Sequence, residues 1–118
     1  MPLQIYTTQI KYTNFNKIKE NPNCLDITRK TGNLIFAPTW GMILGLKNMR
    51  LSEEKYTKLY YKLMRKSYKN NRKEWDKLLA KEKIIICCYC YNGAFCHRYL
   101  LAKILEKLGA EYKCEIEI

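Results

Sequence analysis

Lys83-Ile84-Ile85-Ile86-Cys87-Cys88-Tyr89-Cys90 is a near-continuous apolar run. A strand covered on both faces reads this way, and such strands belong to parallel sheets flanked by helices. Tyr91 to Phe95 break the pattern, and helical spacing resumes near Cys96, with Leu101, Ile104, Leu105 and Leu108 as one apolar stripe. Gly109 closes that helix as a C-cap. Tyr112, Cys114, Ile116 and Ile118 then alternate with Lys113, Glu115 and Glu117, which predicts a last strand with one dry and one wet face. A strand, a loop, a helix and a strand in succession require a crossover, and hence parallel pairing.

Upstream, Leu3 to Ile10 reads as a strand, and Cys24 to Thr28 as a second, after the turn Asn21-Pro22-Asn23. Leu34-Ile35-Phe36 fits a short strand or an extended loop, and Pro38 keeps Ala37 out of a helix. A short helix is expected from about Gly41 to Leu46. Ser52, with Glu53 and Glu54 behind it, caps the clearest helix. Its buried face carries Tyr56, Leu59, Tyr60, Leu63 and Met64. Asn70-Asn71 interrupts, and a second segment sets Trp75, Leu78 and Leu79 on one face. The fold class expected is α/β: a small single domain, residues 1–118, with a mostly parallel sheet flanked by helices.

At 118 residues the chain can bury a core without metal or disulfides. Four of its six cysteines crowd into positions 87–96. Adjacent strand residues such as Cys87 and Cys88 point to opposite faces and pair poorly, so free thiols are expected. The longest apolar run falls far short of the ~20 residues of a membrane span, and Met1 to Tyr12 lacks an export pattern. The expected compartment is the cytoplasm, with no membrane partner. The net charge is +11, which attracts phosphates, nucleic acid or acidic partners. Lys, Asn, Ile and Tyr are abundant together, as in AT-rich coding sequence, so many lysines can be simple solvated charge.

In open α/β sheets ligands bind beyond the carboxyl ends of the strands. Here that place is Cys90-Tyr91-Asn92-Gly93-Ala94-Phe95-Cys96-His97-Arg98. Four readings compete for it. In the leading one, Asn92, Gly93 and the loop amides cradle an anion at a helix start, Arg98 clamps it and His97 bonds or protonates it. Asp26, Arg29 and Trp40 complete the walls around a small phosphorylated or nucleotide-like ligand. In the second, Cys90 or Cys96 is a nucleophile and His97 its acid–base partner. The tyrosine-phosphatase spacing is absent, because the residue six after Cys90 is Cys96 rather than an arginine. In the third, Cys88, Cys90, Cys96 and His97 hold a metal. The ligand types suit zinc but the spacing matches no standard pattern, so no metal and no cofactor are expected. In the last, the loop is packed core and Arg98 pairs with a carboxylate such as Asp26. Asp26 and Arg29 could equally form a structural ion pair. Trp40 is read as packing in the core more than stacking on a base, and Tyr56 and Tyr60 as core.

These residues also carry a resemblance. Phe36-Ala37-Pro38-Thr39-Trp40, Leu51-Ser52-Glu53-Glu54-Lys55-Tyr56-Thr57, Cys88-Tyr89-Cys90, Phe95-Cys96-His97-Arg98, Leu100-Leu101-Ala102 and Leu108-Gly109 resemble domain-of-unknown-function family 488. Tyr6-Thr7-Thr8-Gln9 and Leu25-Asp26-Ile27-Thr28 resemble its short form in bacteria and phages, so the likeness spans nearly the whole chain. Gly41 stands where that form has a glutamate, and Gly45-Leu46 where it has Gly-Tyr. The resemblance implies a compact α/β fold with the Cys-His-Arg loop beside a pocket, and no particular activity. For a phage-borne chain, one version of the ligand reading is a sponge for a signalling nucleotide. The alternatives are a cysteine enzyme acting on a nucleotide-like substrate and a nucleic-acid-binding accessory protein.

Overall fold

In a computed structural model, residues 2–90 and 95–118 are described. The elements are β1 (Gln4–Gln9), α1 (Phe15–Glu20), β2 (Cys24–Asp26), α2 (Trp40–Lys47), α3 (Glu53–Asn70), α4 (Arg72–Leu79), β3 (Lys83–Cys88), α5 (His97–Lys107) and β4 (Glu111–Glu115). The four strands form one sheet in the order β2-β3-β1-β4, and every pairing is parallel. Residues 34–36 form a turn rather than a strand.

The apolar run of β3 explains the layering. Ile84 and Ile86 face a large core with Tyr60, Met64, Trp75, Leu101 and Leu105 from α3, α4 and α5. Ile85 and Cys87 face a thinner layer with Ile18 of α1. Period-two alternation thus places Cys87 and Cys88 on opposite faces, and all six cysteines are free thiols.

Two polar anchors fix the segment leading to α2. Tyr60 Oη donates to Phe36 O at 2.8 Å. Ser67 Oγ donates to Ile35 O at 2.7 Å while accepting from Trp75 Nε1 at 3.1 Å. Thr39 then caps α2, its hydroxyl accepting from Met42 N–H at 3.2 Å. Trp40 therefore starts a helix at the surface and is half exposed, not core.

The last strand departs from simple alternation. Ile5 pairs with Tyr112, but Tyr6 pairs with Cys114, so Lys113 is an extra residue. A bulge of this kind reverses which side chains face in. Cys114 becomes exposed, and Glu115, expected on the wet face, turns inward beside Thr7.

Candidate functional site

A cavity of about 530 Å³ opens at the carboxyl ends of β2 and β3, within the range of small-ligand sites. Its wall begins in the turn after β2. Asp26 accepts from Thr28 N–H at 2.9 Å and from Thr28 Oγ1 at 2.7 Å, and Thr31 Oγ1 donates to its other oxygen. The backbone of Asp26 accepts from Asn33 N–H at 2.7 Å. A Cβ on Gly32 would sit 2.2 Å from Asp26 O, so only glycine fits there. Tyr89 Oη lies 3.0 Å from Thr31 Oγ1, which ties this turn to the end of β3. The closed turn carries Arg29 and Lys30 to the cavity, where Lys47 and the half-exposed Trp40 complete the rim. No carboxylate is among the described lining residues.

The floor is sulfur and imidazole. Cys88 ends β3, Cys96 is the N-cap of α5 and His97 its first residue. All three are buried, and Cys90 is partly buried beside them. Cys96 Sγ approaches Cys88 Sγ at 3.1 Å, and Cys88 Sγ lies 3.8 Å from Cys90 Sγ. His97 Nδ1 is 3.9 Å from Cys88 Sγ and 3.8 Å from Cys96 Sγ. Its Nε2 lies 2.9 Å from Ile27 O. A carbonyl can only accept, so Nε2 carries the proton and Nδ1 turns its lone pair toward the sulfurs. Burial holds His97 below the ordinary imidazole value, against the pull of that bond. Donation from Cys88 and Cys96 holds the Cys90 thiol well below its usual range. The bonds of Cys88 with Cys90 and with Cys96, together with burial, push its thiol up.

Arg98 is not a wall of this cavity. Its side chain is fully buried. Nη2 donates to Glu115 Oε2 at 2.7 Å and to Tyr99 Oη at 2.9 Å, and Nε to Glu115 Oε1 at 3.3 Å. Nη1 donates to Cys90 O at 2.9 Å. The fork expected to clamp a ligand instead fastens β4 to the end of the β3 loop. Its carboxylate partner is Glu115, not Asp26. Asp26 is committed to its own turn and lies off the cavity, and no ion pair joins it to Arg29 among the described residues. Asn92 and Gly93 fall outside the described residues.

The fold thus gathers Arg29, Trp40, Cys90, Cys96 and His97 around one cavity, and sets Asp26 and Arg98 behind it. Sequence reading missed Lys30 and Lys47 on the rim and Phe95 and Tyr56 on the wall. The adjacent bases Arg29-Lys30 after a strand were a usable signal for Lys30; nothing local marks Lys47. Gly41 and Gly45 line a separate groove of about 630 Å³ between α2 and α3, whereas Leu46, which stands in place of the tyrosine of the family's Gly-Tyr pair, lines the thiol cavity.

The parallel α/β sheet and the Cys-Tyr-Cys and Cys-His-Arg elements at its carboxyl edge define a domain of the DUF488 class. Within that class the DUF488-N3a family model, described as the active DUF488-N3 subclade, matches residues 34–109, and the chain belongs to this family. The match is narrower than the resemblance read from sequence, leaving β1, β2 and β4 outside it. No curated protein and no solved structure matches the chain.

Proposed function

We propose that the cavity at the carboxyl ends of β2 and β3 binds a small phosphorylated or nucleotide-like molecule. The observation that carries this reading is the composition of the rim: Arg29, Lys30 and Lys47 with no described carboxylate opposing them, beside the exposed face of Trp40. Cations concentrated over a low-dielectric pocket attract phosphate, and an exposed indole offers a stacking surface for a base. A volume of about 530 Å³ suits a mononucleotide-sized guest. The anion contact moves from Arg98, as expected from sequence, to Arg29, Lys30 and Lys47.

Tryptophan fluorescence tests this. Trp75 is fully buried and Trp40 half exposed, so a ligand on the rim should quench Trp40 alone. Titration with a panel of nucleotides and sugar phosphates should give saturable quenching with at least one compound, abolished in Trp40→Phe. Arg29→Ala should weaken that binding by about ten- to a hundredfold, the loss of one charge-assisted contact. Absence of quenching across the panel, or binding untouched by Arg29→Ala, would refute the reading.

A second reading is an enzyme with Cys90 as nucleophile and His97 as its proton acceptor. The position of Cys90 on the cavity, with Cys88, Cys96 and His97 packed against it, favours this, as does the description of the matched subclade as active. A binder returns its guest unchanged after denaturation; an enzyme returns product.

A further inference from the structure

We infer that Cys88, Cys96 and His97 form a three-ligand site for a soft divalent cation of the zinc class, with Cys90 at the fourth corner. The inference rests on the cavity floor and does not depend on the ligand proposed for the rim.

Geometry comes first. The two sulfurs and the imidazole nitrogen lie mutually within 4.8 Å, and all three residues are buried. In a tetrahedral zinc site, bonds of about 2.3 Å to sulfur and about 2.0–2.1 Å to nitrogen put neighbouring ligand atoms about 3.5–3.8 Å apart. The two sulfur–nitrogen edges here are 3.9 and 3.8 Å. The Cys88–Cys96 edge, at 3.1 Å, must open slightly, within reach of a small side-chain rotation. Cys90 Sγ stands 3.8 Å from Cys88 Sγ but outside the group of ligand atoms mutually within 4.8 Å, so it reaches the fourth corner by a shift of its side chain.

The surroundings agree. A metal-binding histidine ordinarily donates its second ring N–H to a carbonyl or carboxylate, which fixes the tautomer and aims the free nitrogen. His97 does this through Ile27 O at 2.9 Å. Cys96 occupies the N-cap of α5, with its sulfur 3.1 Å from Cys88 Sγ. The spacing resembles no standard zinc motif because the ligands come from two elements, the end of β3 and the start of α5, which meet only in the folded sheet. This geometry runs against the sequence expectation of no metal.

The test uses the full chain, stripped with a chelator in a non-thiol reductant and titrated with cobalt(II), then with zinc(II). The expected result is one cobalt per chain, with thiolate-to-cobalt charge-transfer absorption and the intense visible bands of tetrahedral coordination, bleached by zinc. Cys114→Ser, at an exposed strand position, should behave as the parent. Cys96→Ser and Cys88→Ser should lose roughly a hundredfold or more in affinity, beyond the loss of a group that only supports a ligand from behind. Cys90→Ser, at a partly exposed position, should keep the metal with weaker charge-transfer absorption. Absence of a one-to-one thiolate band in the parent would overturn the site without bearing on the rim ligand. Undiminished binding in both Cys88→Ser and Cys96→Ser would overturn it equally. Unchanged absorption in Cys90→Ser would remove Cys90 from the fourth corner.

Discussion

Arg98 is the second residue of α5, in a motif that, read as sequence, points to anion recognition. Its surroundings give it a different task. Buried against Glu115 and holding Cys90 O, it positions the loop that brings Cys90 to the cavity. Removing it leaves a partly buried carboxylate without its cationic partner and takes a donor from the Cys90 carbonyl. Arg98→Ala should therefore cost about 3–5 kcal/mol of stability, read in denaturant melts, and Arg98→Lys less, since it keeps the charge but not the fork. A loss below about 1 kcal/mol in Arg98→Ala would contradict this placement. Glu115 gives the pH counterpart. Partial burial pushes its carboxyl up, but the bonds from Arg98 and Thr7 outweigh this and hold it below the usual glutamate value. Its contribution is therefore complete above the unfolded value of about 4.3 and disappears as pH falls through the lower folded value. In Glu115→Gln the stability–pH curve should be flatter on its acid limb than in the parent; superimposable acid limbs would contradict the pairing.

Among the elements, those with strong periodicity were legible. The strand–helix–strand unit at the end of the chain, the break between α3 and α4 at Asn70-Asn71 and the Gly109 cap, at φ 104°, all follow from local pattern. The facing of β4 did not, because alternation assumes an unbroken pleat and the extra residue at Lys113 gives no sequence signal. That one bulge explains why Glu115 read as a surface charge and why Arg98 seemed free for a ligand. Thr31-Gly32-Asn33 after β2 carries turn chemistry in its residue types, but nothing local marks the role of Asp26, whose carboxylate closes the turn. Gly32 is the sensitive point of this element. Gly32→Ala forces a methyl against Asp26 O and should destabilise by about 1–3 kcal/mol. It should also displace Arg29 and Lys30 and weaken rim binding more than Gly41→Ala, whose Cβ meets only Thr39 Oγ1 at 3.9 Å. Equal effects of the two substitutions would contradict the role assigned to the turn.

For the molecule as a whole, no helix among the described residues is long and apolar enough to cross a membrane. The charge of +11 is compatible with either a polynucleotide or a small anion, and ionic strength separates them. A protein neutralising many phosphates loses about 10³–10⁵ in affinity between 50 and 200 mM salt. A guest held by the rim cations should lose far less, roughly tenfold or below.

The most direct measurement of the central claim is small-molecule mass spectrometry of the full chain equilibrated with a nucleotide-rich cell extract, beside an Arg29→Glu/Lys47→Glu variant. Both positions lie on the rim and neither contributes to the core, so the variant should remain folded. A phosphorylated compound should be enriched in near-stoichiometric amount on the parent and depleted on the variant. Equal recovery of the same compound from both proteins, or no phosphorylated compound above background on the parent, would contradict it.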